Sequence, residues 1–245
     1  ASRAGYDHVI TGDMGGTSYD VAVVVEGAPK IARSTLLDFR IPLKIPMIDV
    51  HTIGAGGGSI ASVDGAGVLQ VGPRSAGAMP GPACYGHGGT AATVTDANVV
   101  LGRIDWEHPI GAKDSAQLDF GAAREVVENL GRQLGIGSEA TAAAILAVAT
   151  QHMAGRTRLL SVEQGLDPRD FAFVPFGGAG PLHGAAIMRE VGIPVMLVPP
   201  DPGVLCAMGC TNAPLRHDFS RTLDRLLDDV APRLIANTLS EQATQ

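Results

Sequence analysis

Cysteine is scarce in this chain: three in 245 residues, at Cys84, Cys206 and Cys210. So small and odd a number argues against a disulfide framework and for a reducing compartment, here the cytoplasm. Aromatic residues make up only 4%, and no basic stripe interrupts a formal net charge of −7. Neutralising a phosphate backbone needs clustered Lys or Arg, so nucleic acid is not an expected partner. No apolar run approaches the roughly 20 residues of a membrane helix, so no membrane is expected either. The opening ASRAGYDHVITGDMGG holds no apolar core of a secretion signal. No solenoid-type repeat is present. What the chain does have is glycine, 32 residues, well above the usual share of about 7%. The glycines cluster in loops, where backbone must turn sharply or come close to something. With 45% hydrophobic residues and a mean hydropathy of +0.18, the chain reads as globular, with ample core for one large domain or two small ones.

Beta-branched runs predict strands at 8–12 and 20–26 on either side of the first glycine loop, and a further strand over Met47–Ile53. Gly65 to Gly89 reads as irregular, because Pro80 and Pro82 forbid a helix and weaken a strand. Asp96 is the expected N-cap of a short helix in TDANVVLGRI. Two longer helices come next. One carries Ala123, Val126, Val127, Leu130 and Leu134 on one face and stops at Gly135. The other starts at Ser138 and ends before Gly165. The last portion alternates: strand FAFVPF, turn GGAG, a helix with Pro181 first and Gly192 past its end, strand VMLVPP, and the helical segment GVLCAMG. Antiparallel strands first and alternating units afterwards predict an α/β domain with a mixed sheet. Residues 216–245 read as a charged helical extension. The abrupt start in a strand and close in helix-like sequence point to a piece of a longer chain.

Three glycine loops compete as binding sites. GAGGGS, from Gly54 to Ser59, half-matches a dinucleotide fingerprint. Serine stands where the third glycine belongs, and the IASVDGAGVL run after it is too broken for a helix. A tight turn whose backbone passes close to something is the favoured reading. FGGAGPLHG ends an apolar strand at the mouth of a helix. It suits either a packed turn or a flat or anionic group approaching bare backbone at a helix N-terminus. DMGGTS offers amides at Gly15 and Gly16 and hydroxyls at Thr17 and Ser18, with Asp13 in front and Asp20 behind. Gly-Gly is an ordinary two-residue hairpin turn. A plain hairpin, however, needs neither the leading Asp nor the paired hydroxyls, which favours a phosphate turn.

DMGGTSYDVAVV, VHTIGAGGGSIASVD, VGPRSAGAMPGPACYGHGG, TVTDANVVLGRI, DPRDFAFVPFGGAGPLHGAAIMREVGIP and PGVLCAMG together resemble the hydantoinase/oxoprolinase family, of the N-methylhydantoinase A and acetone carboxylase kind. The likeness runs from about Val9 to Gly209 in order. It implies an α/β lobe of the actin-like ATPase (ribonuclease H-like) kind, a mixed sheet flanked by helices. That lobe would occupy residues 1–215, with a Gly/Pro-rich irregular insertion near 65–93. The family's earlier D-x-G-G-T-x-T-D hairpin has no copy here. The expectation is therefore a second lobe alone, inactive when isolated.

The resemblance further implies ATP with Mg²⁺, used for hydrolysis of a cyclic amide (a hydantoin or 5-oxoproline) or for carboxylation of a ketone, beside a hydantoinase B-type companion subunit. It assigns phosphate to Gly15, Gly16, Thr17 and Ser18, adenosine to Gly177, Gly178 and Gly180, and metal or catalytic water to Asp13. A sugar-kinase-like phosphotransferase and a non-catalytic nucleotide-binding or assembly module are the rival functions. His51 either faces substrate or is a buried histidine with a backbone partner, the favoured reading. His183 reads as a helix-packing residue. Cys206 and Cys210 read as core thiols. Cys84 could act as a nucleophile only if His87 reached it.

Overall fold

The computed structural model describes residues 1–32, 35–36, 39, 41–43, 45–109, 117–213, 221–224, 226 and 230–243. Two compact units divide the chain, Ala1–Cys210 and Thr211–Gln245. The first begins with strands β1 (Val9–Met14), β2 (Tyr19–Val25) and β3 (Ala28–Pro29). Four two-residue strands come after them: β4 (Ile31–Ala32), β5 (Thr35–Leu36), β6 (Pro42–Leu43) and β7 (Met47–Ile48), paired as β4 with β7 and β5 with β6. Then come β8 (Val50–Ile53), β9 (Ser59–Val63), β10 (Leu69–Ser75), α1 (Val94–Val100), α2 (Phe120–Leu134) and α3 (Ser138–Glu163). The unit closes with β11 (Ala172–Phe176), α4 (Gly180–Val191), β12 (Val195–Met196) and α5 (Leu205–Asn212), the last running two residues into the second unit.

The main sheet has the order β12-β11-β1-β2-β3, with β8 also paired to β2. Strands β11 and β12 run parallel to β1, whereas β2 is antiparallel to β1, β3 and β8. This is the mixed α/β sheet that the alternation of elements predicts. Period-2 alternation decides its faces. Ile10, Met14, Tyr19, Val21, Val23 and Phe173 are fully buried on one face, which α3 and α4 cover. Close approach there demands small residues. A Cβ on Gly12 would lie 2.8 Å from the Phe173 ring and the Tyr19 hydroxyl, and one on Gly184 of α4 would lie 2.7 Å from Pro175. Helix α3 buries Ile145, Leu146, Ala149, Met153 and Leu160 at helical spacing. Its buried Thr157 hydroxyl bonds Tyr19 Oη at 2.9 Å, so the fully buried Tyr19 phenol is satisfied.

The helix stops fall where glycine was expected. Gly135 and Gly192 take left-handed φ values of 70° and 87° just past α2 and α4. Three expectations need correction. The strand expected over Met47–Ile53 is two, β7 and β8, parted at Asp49. The Gly/Pro-rich stretch is not irregular throughout, because β10 runs through its first part, paired with β9. Pro73 is accommodated because the register shifts between Val71 and Ser75, where a bulge leaves no ladder bond to lose. Finally, Thr93 rather than Asp96 caps α1. Its hydroxyl takes the Asp96 amide, while the Asp96 carboxylate reaches back to the Thr93 amide, a closed capping box.

In the second unit, residues 216–220 at the head of the expected extension lie outside the described residues. Helix α6 (Pro232–Ala243) occupies the last part of this unit, with an Arg221–Glu241 ion pair at 3.0 Å.

Candidate functional site

The first glycine loop joins β1 to β2. Met14 pairs with Tyr19, so the loop is Gly15, Gly16, Thr17 and Ser18, not a two-residue Gly-Gly turn. It is closed by a bond from the Gly15 amide to the Ser18 carbonyl at 3.2 Å. From Ala55 to Ser59 the GAGGGS loop lies buried against it. The Gly57 amide donates to the Gly15 carbonyl at 3.0 Å, and the Gly58 amide to the Gly16 carbonyl at 2.7 Å. A Cβ on Gly56 would stand 2.6 Å from Gly16 carbon and Thr17 nitrogen. The favoured reading of this loop, a turn whose backbone passes close to something, is therefore what the fold contains. Its neighbour is the first glycine loop. Behind it, the Thr95 amide and hydroxyl both donate to the Gly57 carbonyl at 2.8 Å, bracing the pair of loops from α1.

This bracing orients the turn. Peptide bonds here are trans, so each carbonyl and the following N–H point to opposite sides. With the Gly15 and Gly16 carbonyls held inward, the N–H groups of Gly16 and Thr17 point outward. Among the described residues neither finds a protein acceptor. Gly15 and Gly16 have ordinary φ, and a Cβ on either would meet nothing within 4 Å. Neither backbone strain nor crowding in this chain calls for glycine at these positions.

The second glycine loop converges on the same place. Strand β11 lies parallel to β1 with Phe176 opposite Asp13, so both loops leave the same end of neighbouring strands. Gly177 has φ +83°, and a Cβ there would collide with Asp13 Oδ1 and fall 2.6 Å from the Met14 carbonyl. The Ala179 amide donates to the Met14 carbonyl at 2.9 Å, and the Gly177 amide to the Pro202 carbonyl at 2.9 Å. A Cβ on Gly180 would lie 3.2 Å from the Gly12 carbonyl. Gly178 alone of the three faces open space. Helix α4 starts at this loop with no side-chain cap, so its first amides face the same end of the sheet.

Asp13 and Asp20 are register partners across β1 and β2, so their carboxylates stand on one face. Asp20 accepts from the Ser18 hydroxyl at 2.9 Å and from the Thr52 hydroxyl. The Ser18 proton is thus committed to Asp20. Asp13 Oδ2 accepts from the Cys206 thiol at 3.2 Å. That bond, with desolvation and the charge of the same carboxylate, pushes the thiol up to about 11. Among the described residues neither carboxylate has a Lys, Arg or His partner. Facing carboxylates repel until a cation is supplied, and carboxylate and hydroxyl oxygens are the hard donors Mg²⁺ prefers. The residues fit that ion.

Other candidates fall outside this place. Cys206 and Cys210 are exposed, not core thiols, because α5 buries none of its residues. His51 sits between Asp49, 3.2 Å from its Nε2, and Arg156. Its partners are thus side chains rather than backbone, and strand alternation turns it to the face opposite Asp20 and Thr52. His183 is buried, 3.2 Å from the Asn98 amide. Burial, aided by the Arg103 charge, lowers its pKa to about 4, as suits a packing residue. Cys84 is buried, and burial, with the Asp96 carboxylate beside it, pushes its thiol well above the usual range. A thiol held protonated is a poor nucleophile, and His87 stands exposed. The roles of Thr95, Asp20 and Cys206 escape sequence reasoning, since their partners are distant in the chain.

Comparison with known proteins agrees with the architecture. The chain is 44% identical over 231 residues to the alpha chain of the caprolactamase of Pseudomonas jessenii, a match covering 94% of this chain and 33% of that one. It is 39% identical to the acetophenone carboxylase gamma subunit of Aromatoleum aromaticum, over 91% of this chain and 30% of the relative. The crystal structure of the ATP-dependent caprolactamase superposes with a TM-score of 0.75 at 44% identity, over 85% of this chain and 30% of that chain. Nucleotide-free acetone carboxylase, from work on ATP-dependent acetone carboxylation, gives 0.79 at 27% identity, over 86% and 30%. The chain thus spans about a third of the length of these relatives. The hydantoinase/oxoprolinase family model matches residues 1–219, and with nearly the whole sequence inside that match, the chain belongs to the hydantoinase/oxoprolinase family.

Proposed function

We propose that this chain is the second lobe of an ATP-dependent enzyme that hydrolyses a cyclic amide or, in the alternative chemistry of its relatives, serves carboxylation of a ketone. One observation carries the reading: the outward amides of Gly16 and Thr17, beside glycines that the fold itself does not require. An anionic group resting on bare backbone does require them. The caprolactamase and acetone carboxylase structures, both of ATP-dependent systems, support the same ligand.

In this reading the amides of Gly16 and Thr17 are the phosphate donors, Gly15 keeps the turn beside them bare while its own amide closes the loop on the Ser18 carbonyl, and Ser18 holds Asp20. Gly177 and Gly180 let the second loop seat against β1, and Gly178 leaves bare backbone for adenosine at the start of α4. Asp13, with Asp20 across from it, holds Mg²⁺ directly or through water. Bound MgATP supplies the phosphoryl group that turns a carbonyl oxygen into a leaving group, and the cation that shields its charge. The chain's own contribution is placement: donors fixed by the GAGGGS brace before the ligand arrives, so that little reorganisation is needed. Relatives named as alpha and gamma subunits support a companion subunit, which we take to be of the hydantoinase B type. Unpaired cysteines support a cytoplasmic setting.

Calorimetric titration of MgATP tests the proposal. The intact polypeptide that carries this chain is expected to bind, and the chain alone to bind weakly or not at all. Gly16→Ala is the sharper probe. Its methyl enters open space and leaves the melting temperature unchanged, yet covers the amides and weakens MgATP about tenfold or more. Tight binding that survives Asp13→Ala with Thr17→Ala would contradict the reading.

A further inference from the structure

Helix α5 buries none of its own residues, yet it starts where two strands deliver the glycine loops. The segment before it is fixed by the bond from the Gly177 amide to the Pro202 carbonyl at 2.9 Å. Four residues on, the Cys206 thiol donates to Asp13 Oδ2 at 3.2 Å. On its other side the Asp13 carboxylate lies against Gly177, with Oδ1 in the space a Cβ would need. Asp20, its cross-strand partner, is held by the Ser18 and Thr52 hydroxyls. Each of the two facing carboxylates is therefore steered by neutral donors. A neutral donor orients a carboxylate without cancelling its charge, and a carboxylate has about four lone-pair positions. One thiol proton leaves the others open to a cation.

We propose that Cys206 is a positioning residue, whose thiol proton fixes the rotamer of Asp13 so that its remaining lone pairs point to the cation of MgATP. The inference rests on the assignment of Asp13 given above. It requires the donor and not the sulfur, so serine serves in its place and alanine does not.

The test is Mn²⁺ binding in the presence of ATP, followed by electron paramagnetic resonance on the intact polypeptide. Cys206→Ala is expected to weaken Mn²⁺ about fivefold, the size of one ordinary hydrogen bond, as suits a weak thiol donor. Cys206→Ser is expected to bind within about twofold of the parent. ATP affinity measured with the metal chelated should match in all three. Two results overturn the proposal: Mn²⁺ bound equally or more tightly by Cys206→Ala, or weakening that Cys206→Ser does not repair. If Mn²⁺ binding is lost in Asp13→Ala yet unmoved by Cys206→Ala, the Asp13 assignment stands and the positioning role falls. If the parent protein binds no Mn²⁺, both fall together.

Discussion

His183 carries a pH dependence set by its surroundings. The unfolded chain titrates it near 6.5, whereas burial in the native state keeps it neutral down to about 4. Between those values the unfolded state binds the additional proton. Its contribution to stability is thus intact above pH 6.5 and lost progressively as pH falls toward 4. From 6.5 to 5.0 the loss is about 2 kcal/mol at 1.36 kcal/mol per unit. Urea unfolding at pH 7.5 and pH 5.0 should differ by about that amount, and His183→Gln should remove most of the difference. Residue identity alone led to the packing role of His183, because a histidine on an otherwise apolar helical stretch has few alternatives. It gave the wrong environment for Cys206 and Cys210. Their i, i+4 spacing suits a core helix, but burial depends on whether another element lies over that face, which spacing does not encode.

Among the elements, α1 is short, and what fixes it is its cap. The Asp96 side chain is fully buried and accepts from the Thr93 amide and hydroxyl at 3.0 and 2.7 Å and from the Ala83 and Cys84 amides at 3.3 and 2.8 Å. One carboxylate therefore ties the helix to the GPAC loop. Asp96→Ala strips several buried donors at once and is expected to cost on the order of 3 kcal/mol. Thr93→Ala removes the cap alone and should cost about 1 kcal/mol. Urea denaturation of both checks the order; equal losses would argue against the bridging role of Asp96. Helices α2, α3 and α4 were legible because a 3.6-residue apolar period and glycine stops are local signals. Strand β10 was not legible. Its proline and glycines read as breakers until β9 provides a partner and a bulge. Likewise Asp96 is a plausible cap by residue type, but only the backbone decides which of two neighbouring cap formers takes the first position.

On the scale of the whole chain, the buried apolar residues all lie between Val9 and Ile193 among the described residues. The core thus belongs to the first unit. A chain ended at Ala213 is expected to unfold cooperatively with a melting temperature within about 3 °C of the parent, measured by scanning calorimetry. Loss of cooperativity would mean that 214–245 completes the core. The three glycine loops, scattered over more than a hundred residues of sequence, meet at one end of β1 and β11 with their backbones in contact. Family membership was legible from motifs in order. The meeting of DMGGTS with FGGAGP was implied by the resemblance, which gives both to one nucleotide; the arrival of GAGGGS beside them was not, since it rests on backbone bonds between loops distant in the chain.

The sequence by itself determined the helix periods and stops, the glycine-rich turns and the family. Each is written in residue types over short spans, where a side chain acts on its own backbone. Only the tertiary structure decided that GAGGGS is the brace of the first loop rather than a cofactor turn, that Ser18 and Thr52 serve Asp20, and that Cys206 reaches Asp13. Those are contacts between residues that the chain alone does not pair. A hydrogen bond or a missing Cβ acquires its meaning there from what the fold brings opposite it.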